Sequence, residues 1–356
     1  MKKTNTKYFL AANSCEGFVS KFGECYNPAD DWTVYIIKGG PGTGKSSFMK
    51  KAAQKANEKN IDCILCPCSS DPDSLDAVIL PDKKTVILDG TAPHTLDPVY
   101  PAVCEEILNF GEFWNKNKFQ NKSQVFETTN YNKILHATAS RYLQAAGKLL
   151  LDNYKTALAC TQKEKAQSFA ENLAKRYLPK TDNRSYEWVR FLGSIGPKGI
   201  ISYPETVANT CKELVIIKDK FGATSNILME QIRTHALQNG YEIITVKNPF
   251  LPNTLTDHII IPSLSLAFVT ENDFINFETD ARRIHARRFT SNKQLHLSNE
   301  RIKFNKKVVT LLLSSAVDTL NKAKAVHDQL EINYIKAMDF TKLNEFAEKF
   351  CNNLFS

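Results

Sequence analysis

Short apolar runs that end at polar residues or glycine recur along the chain, and they predict the strands of an α/β fold. Residues 34–37 (Val-Tyr-Ile-Ile) precede a glycine-rich stretch, and residues 47–53 beyond it have helical composition. Residues 61–65 and 85–88 are further apolar runs. The order of strand, loop, helix and strand predicts an α/β protein with a parallel sheet flanked by helices.

Later parts of each half of the chain follow a helical period instead. Apolar residues recur every three or four positions over residues 135–150 and again over residues 309–323. Shorter helices are predicted over residues 163–177, which stop before Pro179, and over residues 341–353. We therefore expect each half to end in a long helical hairpin that packs on its sheet or projects from it.

The glycine-rich stretch is a complete GxxxxGK[ST] pattern, Gly-Gly-Pro-Gly-Thr-Gly-Lys-Ser, at residues 39–46. Glycines permit a backbone path that points successive N–H groups at phosphate oxygens, and the following helix adds its positive end. The alternative is an ordinary glycine-rich turn, but the position between a strand and a helix favours a site for a nucleoside triphosphate. The predicted nucleotide-binding residues are Gly39, Gly40, Pro41, Gly42, Thr43, Gly44, Lys45, Ser46 and Ser47.

Two polar side chains near this loop predict a magnesium site. Lys45 is expected to act catalytically by reaching the β- and γ-phosphates, while the Ser46 hydroxyl takes a position on Mg²⁺. Asp89 ends the run at residues 85–88, so its carboxylate is expected at the carboxyl edge of the sheet, where it would orient the metal. No guanine-reading motif is present, and the predicted ligands are ATP and Mg²⁺.

The chain repeats itself at long range, which is typical of duplicated units. Matching residue numbers differ by 182 at Phe9 and Phe191 and by 177 at Phe169 and Phe346, and the matches run in order between them. We interpret residues 1–180 and 185–356 as two tandem P-loop-like modules, here called the first and second half. Independent α/β segments with similar hydrophobic patterns are the alternative.

The second copy lacks the chemistry of the first. In the aligned stretch Asp219 stands for Gly39, Ser225 for Lys45 and Asn226 for Ser46, while Thr270 stands for Asp89. A carboxylate in a phosphate site and the loss of the lysine predict that the second half does not bind a triphosphate in the usual way. It is expected to serve as a regulatory or partner-binding module.

Composition bounds the remaining possibilities. The 356 residues suit two domains, and no run approaches the length of a membrane span. The basic N-terminus lacks the apolar core of a signal peptide, and nine scattered cysteines fit a reducing compartment, so a cytoplasmic protein without membrane contact is predicted. Cys63-x-x-Cys66-x-Cys68 raises a metal hypothesis, but no second ligand pair at zinc spacing accompanies it, and buried thiols are the favoured interpretation.

The net charge of +8 permits nucleic-acid binding without arguing for it. The densest basic patch, residues 282–288 (Arg-Arg-Ile-His-Ala-Arg-Arg), would cover one broad face of a helix. It could hold nucleic-acid phosphates, reach the nucleotide of the other module, or form a solvated surface.

Several motifs together resemble a family of largely uncharacterised, duplicated P-loop ATPase-like proteins of Firmicutes. These motifs are residues 16–20 (Glu-Gly-Phe-Val-Ser), the loop at residues 39–47, residues 69–76 (Ser-Ser-Asp-Pro-Asp-Ser-Leu-Asp) and residues 89–94 (Asp-Gly-Thr-Ala-Pro-His). The resemblance covers almost the whole chain and implies ATP binding. In that family both copies generally carry intact loops, so the stretch from Asp219 to Asn226 departs from it.

The last of these motifs makes His94 a candidate catalytic residue, although a structural histidine at a strand end is the plainer interpretation. Asp71, Asp73 and Asp97 are other polar groups that could position a water, whereas the segment up to Asp76 also fits a turn followed by a capped helix. The leading hypothesis is slow Mg-dependent ATP hydrolysis in the first half. The alternatives are a small-molecule or nucleotide kinase and a non-enzymatic protein, either a nucleotide-gated scaffold or a nucleic-acid-associated protein.

Overall fold

The computed structural model describes residues 6–119 and 122–356, which form two mixed six-stranded sheets flanked by helices. The strands are β1 Thr6–Lys7, β2 Ala11–Ser14, β3 Gly17–Ser20, β4 Thr33–Lys38, β5 Ile64–Pro67, β6 Leu75–Leu80, β7 Thr85–Asp89, β8 Glu105–Asn109, β9 Tyr186–Phe191, β10 Gly193–Gly196, β11 Gly199–Ser202, β12 Glu213–Lys218, β13 Glu242–Lys247, β14 Thr256–Ile261, β15 Leu266–Glu271 and β16 Arg282–His285. The helices are α1 Lys45–Glu58, α2 Lys122–Ala159, α3 Lys163–Tyr177, α4 Pro204–Thr210, α5 Ala223–Gln238, α6 Asn292–His296, α7 Asn299–Ala337 and α8 Phe340–Leu354.

The first sheet has the strand order β1-β5-β6-β7-β4-β8, and strand β4 is parallel to both of its neighbours, β7 and β8. The expectation of an all-parallel sheet is wrong, because β6 is antiparallel to β5 and to β7. A single turn of 3₁₀ helix at Pro81–Lys83, closed by Lys84 at φ 44°, joins β6 to β7. So short a connection permits only antiparallel pairing.

The second sheet repeats the first strand for strand, in the order β9-β13-β14-β15-β12-β16. The hairpin β10-β11 likewise repeats the hairpin β2-β3. The two halves meet at Phe9 and Phe191, which are both fully buried and exchange backbone hydrogen bonds of 2.8 and 2.9 Å. These two phenylalanines match each other in the sequence repeat, so the halves are related by an approximate twofold axis at this bridge.

The long helices α2 and α7 pack side by side in opposite directions. Asp152, near the end of α2, accepts a hydrogen bond from Arg301 at the start of α7. Ala139, Ala146, Leu313 and Ala316 belong to the buried apolar cluster between them. Small residues on both helices allow this close approach over most of their length.

The final helix of each half packs on the sheet of the other half. Leu343, Ala347 and Cys351 of α8 lie in the apolar core of the first sheet, and Ala166, Ala170 and Leu173 of α3 lie in the core of the second. Backbone bridges hold both crossings, between Trp114 and Met338 and between Thr161 and Thr290. The helical hairpins expected from the sequence are therefore replaced by an exchange of terminal helices.

Among residues 6–119 and 122–356, no helix is long and apolar enough to cross a membrane.

Because α8 packs on the first sheet, we predict that a substitution in α8 will destabilise the first half. Leu343 is 4% exposed, and replacing it by alanine should lower the free energy of unfolding by about 2–5 kcal/mol through the cavity left behind. Hydrogen exchange measured by mass spectrometry should speed up in α1 and β4. Faster exchange confined to α5 would contradict the exchanged arrangement, and Leu297→Ala, at a residue 85% exposed, is the control.

Candidate functional site

The loop at residues 39–44 connects β4 to α1, as the sequence predicts. Gly42 and Gly44 have φ of 66° and 82°, a backbone conformation that favours glycine, and Gly44 is the N-cap of α1. No described residue accepts a hydrogen bond from the backbone N–H of Lys45, Ser46 or Ser47. The first turn of α1 therefore presents free N–H groups and the positive end of the helix at the loop.

Within the loop itself, the Thr43 side chain forms a hydrogen bond to the backbone. The Thr43 hydroxyl is buried and donates to the Gly40 carbonyl at 2.8 Å, so only the main chain of Thr43 is available to a ligand. Pro41 is half-buried, and the Ser47 side chain is exposed.

Lys45 lies at the centre of the site. Its Nζ donates to the carbonyls of Gly39 (3.0 Å) and Gly40 (2.8 Å) and lies 3.5 Å from Asp89 Oδ2. The side chains of Lys45 and Asp89 are only 13% and 12% exposed, so their attraction is weakly screened. The structure thus brings together the lysine and the aspartate that the sequence analysis placed on one site.

Asp89 ends β7, and the parallel pairing of Ile37 with Asp89 sets its carboxylate beside the start of the loop. Its Oδ1 accepts hydrogen bonds from the Thr91 N–H (2.9 Å) and hydroxyl (2.5 Å), which fixes its direction. The Ser46 hydroxyl accepts a bond of 2.9 Å from the N–H of Leu75. A hydroxyl and a carboxylate are the hard oxygen ligands that Mg²⁺ takes beside phosphate oxygens, so these residues fit the ion.

A second buried carboxylate lies next to Asp89, on strand β6. Because Ala77 pairs with Leu88 in the antiparallel register, Asp76 stands opposite Asp89 on the same face of the sheet. The interpretation of the segment up to Asp76 as a turn and helix is wrong at this residue, which belongs to a strand. The matching stretches that begin at Asp76 and Asp257 were the signal that could have pointed to it.

His94 contacts the Asp76 carboxylate and lies near Asp89. Its Nε2 lies 3.5 Å from Asp76 Oδ1, its ring stacks on Phe22 at 4.3 Å, and its Nδ1 is buried without a described partner. Burial disfavours the imidazolium, but hydrogen bonding and charge from Asp76 and the charge of Asp89 outweigh it and raise the pKa of His94. The Asp76 carboxylate and the Phe22 ring therefore fix the position of the His94 imidazole.

Helices α7 and α8 of the second half cover the loop. A methyl group on Gly42 would lie 2.9 Å from the Glu331 carbonyl oxygen, and one on Gly44 would lie 2.9 Å from Leu343. The Glu331 carboxylate accepts a hydrogen bond of 3.2 Å from the Gly42 N–H. One of the loop's amide donors thus already holds an anionic group from the other half.

Glu331 lies in a charged row along α7. His327 Nε2 lies 3.4 Å from Glu331, and Lys324 lies one turn further back. A hydrogen bond from His327 lowers the pKa of Glu331, while partial burial opposes this. Sequence reasoning missed Glu331, because nothing in its local pattern shows that a helix of the second half covers a loop of the first.

In the second half, the loop at residues 219–222 is filled by its own side chain. Asp219 Oδ2 accepts hydrogen bonds from the N–H groups of Thr224 (2.7 Å) and Ser225 (2.9 Å), and Oδ1 accepts from Phe221 (3.1 Å). Asp219 is buried, and α5 already begins at Ala223. The carboxylate thus accepts from two N–H groups in the first turn of α5, whereas the first turn of α1 has three N–H groups without an acceptor.

Other contacts in the second half repeat those of the first. Asn226 Oδ1 accepts from the N–H of Thr256 at 2.9 Å, as Ser46 does from Leu75, which supports their alignment. Thr270 replaces Asp89, and its buried hydroxyl has no partner in the described chain. Asp257, opposite Thr270, keeps its carboxyl and accepts two hydrogen bonds from Asn248.

The remaining acidic candidates are held in ion pairs or hydrogen bonds away from the loop. Asp73 pairs with Lys198 at 2.5 Å, Asp71 lies 3.6 Å from Lys324, and Asp97 pairs with Lys38 at 2.6 Å. Asp71 and Asp73 thus fasten the segment before β6 to the second half.

The arginine patch is not a helical face, because residues 282–285 form the edge strand β16 and a 3₁₀ turn follows. Arg283 bonds to Glu271 and to backbone carbonyls, and Arg288 lies over the ring of Phe169. The strand lies at the edge of the second sheet, beside β12. Half of the patch is therefore engaged within the protein.

All nine cysteines are free, and burial raises the pKa of Cys63 to about 12. Within the described ranges, no group of three or more metal-ligating side chains is assembled. Any Mg²⁺ ion would accordingly share its shell with ligand phosphates and water.

Comparison with known proteins adds no relative: no family model, no curated protein and no solved structure matches this chain.

Asp257 gives the second half a distinctive dependence on pH. Burial raises the pKa of its carboxyl from 3.8 to about 7, against the bonds from Asn248 and the charge of Lys247. A raised pKa means that the carboxyl contributes full stability below its unfolded pKa, and that this contribution is lost as pH rises through about 7. Relative to wild type, Asp257→Asn should gain on the order of 1 kcal/mol in unfolding free energy per pH unit between pH 5 and 7.

Urea unfolding at several pH values measures this gain. Asp280→Asn, at an exposed residue, should show a constant difference from wild type. A pH-independent difference for the Asp257 variant as well would contradict a buried, neutral carboxyl.

Proposed function

We propose that this protein binds Mg·ATP at the loop of its first half and hydrolyses the terminal phosphate, while the second half binds no nucleotide and completes the site. The observation that carries the proposal is the difference between the two loops. The first leaves the N–H groups of Lys45, Ser46 and Ser47, in the first turn of α1, without acceptors, whereas in the first turn of α5 the N–H groups of Thr224 and Ser225 donate to Asp219.

Phosphate binding would use groups that are already in place. The free N–H groups of the first turn of α1 would hold the β-phosphate oxygens. Lys45 Nζ would exchange its two carbonyl acceptors for β- and γ-phosphate oxygens, which bind an ammonium more strongly because they are charged. The pairing with Asp89 keeps the ammonium within reach of both positions.

Ser46 and Asp89 would hold Mg²⁺, with ligand phosphate and water completing its shell. When bound, the ion neutralises charge that develops on the β- and γ-phosphates as the terminal group leaves. Asp89 is suited to this position because Thr91 fixes its Oδ1 and leaves Oδ2 facing Lys45.

Asp76 and His94 would organise the attacking water. Hydrolysis forms a bond from the water oxygen to the γ-phosphorus, breaks the bond to the bridging oxygen, and releases one proton. Asp76 is buried beside Asp89, and its Oδ1 lies 3.5 Å from His94 Nε2. Asp76 could therefore orient the water and accept the proton, with His94 as its positioning partner.

The second half would act through its helices. A triphosphate at its own loop would have to expel Asp219 and break three hydrogen bonds to a charged group, each worth about 1.5–3 kcal/mol. Its helices α7 and α8 instead cover the first loop, so binding there is coupled to the packing between the halves.

Replacing Lys45 tests the proposed site. Lys45→Ala should weaken Mg·ATP binding at least tenfold in calorimetric titration, because a charge-assisted contact is lost, and it should abolish phosphate release. Lys349→Ala, on the exposed side of α8, should match wild type in both assays. Equal binding and equal rates for the two variants would refute nucleotide use at this loop, and parallel titration with Mg·GTP would identify the base.

Replacing Glu331 tests the cover over the loop. Glu331→Gln keeps the shape of the side chain but removes a negative charge from the Gly42 N–H, so the dissociation constant for Mg·ATP should fall several-fold. Calorimetric titration measures it, with Glu345→Gln on the exposed side of α8 as the matched control. Weaker binding by the Glu331 variant would mean that the carboxylate assists the nucleotide instead of competing with it.

A further inference from the structure

A large cavity opens beside the loop of the second half, between that loop, the ends of the second-sheet strands and the helices α2 and α7. Its volume is about 440 Å³, which lies in the range of small-molecule sites. It is separate from the proposed nucleotide site, because no residue of the loop at residues 39–47 lines it.

Most of the cavity wall is apolar. Phe250, Leu251 and Leu255 come from the segment after β13, and Val309 and Leu313 come from α7. The ring centroids of Phe250 and Phe274 lie 4.4 Å apart and form an aromatic corner of the cavity. Such a wall favours an apolar ligand body and gains little from a sugar or a hydrated ion.

The charges around the cavity are unbalanced at one point. Lys306 is neutralised by Asp273 at 2.9 Å, and Asp257 on the wall is held by Asn248. Lys220, on the loop itself, has no carboxylate partner within the described chain, and its ammonium lies 5.6 Å from the Phe221 ring centroid. One unpaired cation at an apolar cavity is complementary to one anionic group.

The loop excludes phosphate as that anionic group. Asp219 occupies the N–H donors of Phe221, Thr224 and Ser225, and its charge would repel a polyphosphate. A monoanion at the cavity mouth needs none of these donors, because Lys220 alone can pair with it.

We propose that this cavity binds a small organic acid, a monocarboxylate or sulfonate with an aliphatic or aromatic body, whose charge pairs with Lys220. The body lies against Phe250, Leu255 and Leu313. On this proposal, the site at the loop of the second half recognises an amphipathic acid and not a phosphate.

The test uses the full chain and the fluorescent sulfonate 8-anilinonaphthalene-1-sulfonate as the probe. One saturable site per chain is expected. Octanoate should displace the probe at concentrations at least tenfold below octan-1-ol, which has the same body without the charge, and inorganic tripolyphosphate should not displace it. Lys220→Gln should remove most of that tenfold difference, whereas Lys303→Gln, on the exposed side of α7, should preserve it.

A variant that fills the cavity provides an independent check. Leu313→Trp should abolish the saturable site, and Leu255→Trp serves the same purpose from another part of the wall if the first variant does not fold. The proposal is overturned if no saturable site exists, if octanoate and octan-1-ol compete equally in wild type, if Lys220→Gln leaves the preference intact, or if tripolyphosphate displaces the probe. A variant counts as folded when its circular dichroism spectrum matches that of wild type.

Discussion

The exchange of the terminal helices is the constraint on which the rest of the structure depends. Helix α8 of the second half covers one face of the first sheet, and helix α3 of the first half covers one face of the second sheet. Neither half therefore has a complete core alone. The long helices must then run alongside each other to deliver these segments. As a result, the end of α7 lies over the first loop, and residues near the end of α2, including Tyr154, line the cavity at the second.

The N–H groups at the start of the helix that follows each loop are treated differently in the two halves. Free amide groups at the start of a helix attract an anion, and a protein can supply it from a ligand or from its own chain. Asp219 accepts three hydrogen bonds within its own loop, whereas Glu331 makes a single bond to Gly42 from a separate helix. This contrast supports the proposal that an anionic ligand binds at the first loop and not at the second.

Local sequence patterns identified the parts of the fold that depend on local physics. The glycines at residues 39–44 and the strand before Asp89 indicated the loop and the carboxylate, and the structure sets Lys45 3.5 Å from Asp89. The antiparallel direction of β6 was not predicted. The short connection at Pro81–Lys83 determines this direction, and an apolar run alone does not indicate it. The helix exchange and the position of Glu331 were not predicted. An amphipathic pattern shows which face of a helix is buried, but it does not show on which of the two sheets the helix packs.

The most direct test of the account is a crystal structure of the chain with Mg²⁺ and a non-hydrolysable ATP analogue. The account predicts one triphosphate per chain, with its phosphates at the first turn of α1, Lys45 turned away from the Gly39 and Gly40 carbonyls, and the Glu331 carboxylate displaced from Gly42. Asp219 should stay on its three amide groups. A triphosphate at the second loop with Asp219 expelled, and none beside Lys45, would contradict it.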